Sequence, residues 1–317
     1  MFFTGFADEA GGDIDTQIRV TRELGWEHIE ARAVDGVNIT DIAEEKFDEV
    51  AGKLSAAGIG INCFGSAVAN WGKDARKRED FDKSMAELER ALPRMERIGC
   101  AAIRGMSFAI VRDGRPDAPE VEREVFGKVA QLVRMCEEAG MIYLHENCMN
   151  YGGLSYEHTL TLLDRIRSPS FALVFDTGNP VVSLDHRGNE PYRLQSSWEF
   201  YRNVKEFVRH VHVKDAVYVG PSKGIFPEAR YTWPGEGNGD VRRIVADLLA
   251  GGYEGGFSIE PHMGSVYHED SEVSSEESAR RTYVEYGRRF TRLVEEERTS
   301  SPTSGAEERD DGAERKR

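Results

Sequence analysis

The chain has 317 residues, of which 39% are hydrophobic, and its 41 basic and 56 acidic side chains give a formal net charge of −15. Such an acidic surface repels phosphate backbones and anionic bilayers, so nucleic acid and membrane are poor partners and a small polar substrate is favoured. Cys63, Cys100, Cys136 and Cys148 show no CxxC spacing, no run nears the ~18 apolar residues of a membrane span, and MFFTGFADEAGG lacks the regions of a secretory signal; a soluble, cytoplasmic protein with reduced thiols is expected.

Short runs rich in β-formers predict strands at residues 2–6, 27–31, 59–64, 101–105, 141–146, 171–175, 208–213 and 256–260. Amphipathic stretches lie between them. IDTQIRVTRELG, EEKFDEVAGKLSAAG and EVFGKVAQLVRMCEEAG carry apolar residues at helical spacing and stop at Gly25, Gly58 and Gly140. A final helix over roughly residues 275–296 completes eight βα pairs. An open doubly wound sheet would carry a GxGxxG turn after an early strand, and none is present. The expected fold is a single α/β domain, a (β/α)8 TIM barrel over residues 1–296. Its longer connections, residues 65–76, 106–118, 147–154, 177–191, 214–239 and 261–274, follow strands and should rim the C-terminal mouth. Residues 297–317, with TSSPTSGAEERDDGAERKR, lack large apolar side chains and are predicted to be a disordered tail.

Four predicted strands end in a group able to hold a divalent metal: Glu146 in MIYLHEN, Asp176 in FALVFDTGN, His212 in VRHVHVKD and Glu260 in GGFSIEPH. Side chains alternate along a barrel strand, so the residue at its C-terminal tip projects into the mouth. Each acid abruptly ends an apolar run, and burying several carboxylates together without a cation is costly. Three carboxylates and one imidazole form a hard, oxygen-rich donor set suited to Mn2+, Mg2+ or Co2+.

The order and spacing of GFADEAG, IEARAVDGVNI, LHEN, VFDTGN, HVHVKD, WPGEGNGD and GGYEGGFSIEPH resemble the xylose-isomerase-like barrels over about residues 1–295. That family includes sugar isomerases, ketose epimerases and inosose-processing enzymes. The resemblance implies one divalent metal, Mn2+ foremost with Mg2+, Co2+ or Zn2+ as alternatives, on Glu146, Asp176, His212 and Glu260. Glu146 and Glu260 would also shuttle protons. The implied activity is isomerisation or epimerisation of a sugar, keto-sugar or related polyol through a metal-stabilised enediolate. If the same intermediate expels a group instead, the enzyme is a lyase, such as an inosose dehydratase or one eliminating an aglycone from a 3-keto-glycoside or C-glycoside. Gly152, Asn179 and Tyr218 stand where the ketohexose 3-epimerase branch has glutamate, histidine and arginine, which turns the expectation away from a simple free ketohexose.

Asn147, Lys214, His145, His262 and Glu236 are the candidate substrate contacts, with Glu30 and Arg32 beside them. His145 neighbours Glu146 and by alternation should point to the opposite face, as a hydrogen-bonded structural histidine. His210 shares the face of His212 one layer deeper, where it could position a metal ligand. Phe6 and Trp71 could wall a sugar face, and Glu236 in PGEG could simply order a turn. The expected partner is a small carbohydrate; barrels of this kind often pair, which leaves room for a homo-oligomer.

Overall fold

The computed structural model describes residues 1–221, 226–263 and 275–300. Among these residues eight parallel strands alternate with eight helices. The strands are β1 (Phe2–Gly5), β2 (His28–Ala31), β3 (Gly60–Phe64), β4 (Ala102–Gly105), β5 (Ile142–Glu146), β6 (Phe171–Asp176), β7 (Val208–Val213) and β8 (Gly256–Ile259). The helices are α1 (Ile14–Glu23), α2 (Glu44–Ala57), α3 (Arg78–Ile98), α4 (Pro119–Glu138), α5 (Tyr156–Ile166), α6 (Ser197–Val204), α7 (Val241–Ala250) and α8 (Ser275–Ser300). Neighbouring strands pair in sequence order from β2 to β8, and β8 pairs with β1, so the sheet curls into a barrel whose seam lies between β1 and β2.

Local chemistry explains the elements. On α4 the buried residues Val121, Val125, Val129, Leu132, Val133 and Cys136 recur at helical spacing and lay one stripe on the sheet. Gly58 and Gly140 follow their helices at φ 70, a conformation that only glycine adopts freely, and each releases the chain into the next strand. Within the strands the two-residue period divides the molecule. Cys63, Leu144, Ala172 and Val174 pack together inside the barrel, whereas Tyr143, Phe171, Leu173 and Phe175 belong to the larger core beneath the helices.

The mouth carries more structure than its loop composition suggested. Asp215–Gly220 pairs antiparallel with Glu228–Thr232, and smaller hairpins join Leu184–Asp185 to Arg193–Leu194 and Ala33–Val34 to Val37–Asn38. Helix α8 continues to Ser300, through residues 297–300 that composition had assigned to the tail. Residues 301–317 of the predicted tail lie outside the described residues, as do 222–225 and 264–274 of the predicted rim connections.

Candidate active site

Strand order converts four remote positions into neighbours. One ligand atom from each of Glu146, Asp176, His212 and Glu260 lies within 4.8 Å of the others, and all four residues are buried. His212 and Asp176 stand side by side in the register of β7 and β6. Glu260 sits one residue beyond β8, where its N–H donates to the Val213 carbonyl at 3.1 Å.

Each ligand candidate is held from behind. Asp176 Oδ1 accepts from the backbone N–H groups of Gly178 and Asn179, at 2.8 and 2.7 Å, which turns Oδ2 toward the mouth. Glu30 accepts from His212 Nε2 at 3.1 Å and from His210 Nε2 at 2.8 Å. A carboxylate held this way fixes the hydrogen on Nε2 and leaves Nδ1 for the cluster, 3.3 Å from Glu146 Oε1 and 4.0 Å from Glu260 Oε2. Glu260 Oε1 accepts from Arg32 Nη1 at 3.0 Å, and Oε2 from Lys214 Nζ at 2.9 Å.

These contacts decide the charge states. Burial opposes the charge on Glu260, but Lys214, His262, His212 and Arg32 outweigh it and hold the carboxyl well below its usual range. Glu146 also lies below its usual range, because Arg104 and His212 overcome the same burial cost. Burial dominates at Asp176 and pushes it up to about 6, with Lys214 only partly opposing. For His212 burial opposes the charged ring, yet Glu30 and Glu146 carry it up to about 10.

The donor set fits a divalent cation on two grounds. Glu146 Oε2 and Asp176 Oδ2 are buried and accept no aligned hydrogen bond, although Arg104 Nη1 and Lys214 Nζ stand 3.4 and 3.0 Å away. Three carboxylates and an imidazole in one small volume also make the hard site that Mg2+ or Mn2+ prefers. Two further trios, Glu30 with His210 and His212, and Glu9 with Glu260 and His262, come equally close. In the first, Glu30 is already engaged by two imidazoles; the second is tied together by a 2.8 Å hydrogen bond between Glu9 and His262.

A cavity of about 520 Å³ opens above the cluster. Glu146, Glu260, Lys214, Arg104, His262 and Tyr231 are among its walls; Asp176 and His212 are not. The substrate contacts expected from the sequence divide here. Lys214 and His262 face the cavity, with His262 Nε2 3.5 Å from Glu260 Oε1. Asn147 does not: its amide clasps the Asp176 backbone, accepting from N–H at 2.7 Å and donating to the carbonyl at 3.0 Å. His145 is placed on the helix side of β5, bonded to Ser107 Oγ at 3.0 Å, and burial pushes its imidazole down to about 4. Its inclusion among substrate contacts is therefore corrected, since strand alternation turns it away from the mouth. Glu236 is corrected likewise. It is an exposed side chain paired with Arg289 of α8 at 3.1 Å, on the outer rim.

Other groups of the site gave weaker signals in the sequence. Arg104, at the end of β4, reaches the Ser66 carbonyl at 3.0 Å as well as Glu146, and the lone arginine in the apolar CAAIRG run was its visible signal. Asp8 and Glu9 hold Arg32 at 2.8 and 3.3 Å. Asn179, noted as a departure, donates to Glu146 Oε1 at 3.2 Å. The departure at Gly152 has a steric cause, since a Cβ there would lie 2.3 Å from His145 Cε1.

Residues 18–285 match the family described as Xylose isomerase-like TIM barrel. The chain belongs to that family. No curated protein matches it by sequence. Among solved structures, it is similar to a xylose isomerase-like TIM barrel protein from Mycobacterium smegmatis in complex with magnesium, with a TM-score of 0.62 and 17% identity over 92% of this chain and 97% of that one. D-psicose 3-epimerase with D-tagatose, from Clostridium cellulolyticum H10, gives 0.62 and 14% over 93% and 99%. The probable 3-DHS dehydratase AsbF, involved in petrobactin synthesis, from Bacillus anthracis, gives 0.62 and 12% over 90% and 98%. At such identities the likeness to these three is one of fold. This chain combines a xylose isomerase-like barrel with a buried carboxylate and histidine cluster under its mouth.

Proposed function

We propose that this xylose isomerase-like barrel is a divalent-metal-dependent isomerase or epimerase that moves a proton at a carbon beside a carbonyl of a sugar, keto-sugar or related polyol. The convergence of Glu146, Asp176, His212 and Glu260 within 4.8 Å carries this reading. These four would hold the ion, with Mn2+ first and Mg2+, Co2+ or Zn2+ as alternatives; the magnesium in the M. smegmatis protein is consistent with such a choice. When bound, the cation supplies Lewis-acid stabilisation of the negative charge that develops on substrate oxygen as the C–H proton leaves.

Glu146 and Glu260 are assigned the proton transfers because, of the four, only they line the cavity. Glu260, kept ionised by Lys214 and Arg32, is the base that takes the proton. Glu146, on a different strand, would take up a proton from solvent and deliver it to the substrate carbon. Delivery to the opposite face of the same carbon inverts it; return to the neighbouring carbon isomerises the sugar. Lys214 and His262, at the cavity wall, would donate to substrate oxygens, while Arg32 orients Glu260. Incubating the Mn2+-loaded protein with sugars and keto-sugars in deuterium oxide tests the reading. Deuterium should enter at one carbon of a substrate, and absence of exchange across a broad panel sinks it.

A lyase of the same fold is the second reading, because the same intermediate could expel a β-hydroxyl or β-aryl group, and Asn179 on Glu146, where the ketohexose branch has a histidine, turns the site away from free ketohexoses. The probable dehydratase among the similar structures is in keeping with it. Mass spectrometry separates the two, because isomerisation conserves mass and elimination does not.

A further inference from the structure

The WPGEGNGD segment takes no part in the metal cluster, and Asp215 explains what it does instead. Asp215 Oδ1 accepts from the N–H groups of Ala216 and Gly239, each at 2.9 Å, and Oδ2 accepts from those of Gly235 and Gly237, at 2.9 and 3.0 Å. One buried carboxylate thus ties this loop to the end of β7. The fit is close, since a Cβ on Gly237 would lie 2.2 Å from Asp215 Oδ1. Asn238 adds to the clasp, donating its N–H to the Ala216 carbonyl at 2.8 Å and accepting from the Tyr218 N–H at 2.9 Å.

The clasp fixes the base of the hairpin formed by Asp215–Gly220 and Glu228–Thr232, in which Ala216 stands opposite Tyr231. Side chains alternate along a strand, and here Pro227, Ala229 and Tyr231 line the cavity above Glu146 and Glu260 while Glu228 and Arg230 are exposed. Of the three that face inward, only Tyr231 carries a polar group. Its ring meets the His262 imidazole edge-on at 5.1 Å, and His262 is itself held by Glu9 at 2.8 Å. The Tyr231 hydroxyl makes no hydrogen bond among the described residues. Burial pushes its pKa up, Lys214 opposes, and Asp176 and Glu260 add to the rise, so the phenol keeps its hydrogen and lies in the field of the cluster. Packing accounts for the ring but not for the hydroxyl. A phenylalanine would fill the same space, and a half-buried O–H without a partner costs free energy until a ligand accepts from it.

We propose that Tyr231 is a further catalytic residue, whose hydroxyl donates to the substrate oxygen on which negative charge grows as Glu260 takes the C–H proton, and that Asp215 is the positioning residue that holds it there. This rests on the proton-transfer reading of the site and deepens it. A donor aligned in advance by a fixed hairpin stabilises a growing oxyanion more than a neutral carbonyl, so its effect falls on turnover rather than on binding.

Solvent deuterium exchange by the Mn2+-loaded full chain tests this, with D-xylose, D-tagatose, D-allulose and scyllo-inosose as probes. For the probes that the wild type exchanges, Tyr231→Phe should lower kcat about 10²-fold while KM changes less than about threefold, with Mn2+ affinity and the thermal transition unchanged. Gly237→Ala, which crowds the Asp215 clasp, should cost about tenfold in kcat alone and nothing further in the Tyr231→Phe background. If Gly237→Ala loses its thermal transition, Tyr231→Phe alone decides. Turnover of Tyr231→Phe within about twofold of wild type, a change in KM alone, weakened Mn2+ binding, or losses that multiply in the double variant overturn the assignment while the sugar site stands. If the wild type exchanges none of the probes, the proton-transfer reading fails first and this inference falls with it.

Discussion

Nζ of Lys214 lies 2.9 Å from Oε2 of Glu260, and both side chains are buried. The same ammonium is 3.0 Å from Asp176 Oδ2, so it leans on two of the four proposed metal ligands and competes with a bound cation for their charge. Lys214→Met should therefore bind Mn2+ about tenfold more tightly by calorimetry. In EDTA the variant should unfold at a lower temperature than the wild type, because a broken buried pair leaves uncompensated carboxylates at a cost of about 3–5 kcal/mol. Weaker Mn2+ binding by the variant would contradict this relationship.

Glu146→Gln and Glu260→Gln preserve side-chain shape but remove the proton-accepting charge. Each should retain a cooperative thermal transition and lose about 10³-fold in turnover, the scale of general acid–base catalysis. Near wild-type turnover in either variant, measured at saturating Mn2+, would remove that residue from the proton path.

Glu30 acts through His212 without lining the cavity. A glutamine there offers a single acceptor oxygen to two imidazoles and no charge. Glu30→Gln should weaken Mn2+ affinity by about 10–100-fold, the usual consequence of losing a carboxylate behind a histidine ligand. Unchanged affinity in a folded variant would reduce Glu30 to a packing role.

His145 links stability to pH. Burial holds its folded pKa at about 4, below the 6.5 of the unfolded chain, so between these values the unfolded state binds the extra proton. Stability is then intact above pH 6.5 and falls as pH drops toward 4, by up to about 3 kcal/mol from this group. Denaturant unfolding of wild type and His145→Gln across that window should show a steeper loss in the wild type. Parallel curves would refute the assignment.

The barrel and its four convergent groups were legible in the order of the chain because they follow from local rules. Apolar runs of strand length, helices with one apolar stripe and acids that end apolar runs are all one-dimensional patterns. Alternation also placed His145 behind the wall when the proximity of Glu146 suggested otherwise. Asn147 and Glu236 were misread for a different reason, because polarity and nearness in sequence do not reveal that the Asp176 backbone or Arg289 stands waiting. Asp8 and Glu9, within the GFADEAG start, looked like a helix opening and became supports for Arg32.

What the sequence determined alone was therefore periodic and chemical: strand and helix order, the barrel they imply, and four metal-competent side chains at strand ends. Only the tertiary structure decided partnership. Glu30 behind His212, Lys214 between Asp176 and Glu260 and Arg104 beside Glu146 all depend on residues 38 to 182 positions apart. Hydrogen bonds and ion pairs are short-ranged, so such contacts exist only once closure of the sheet brings remote strands together.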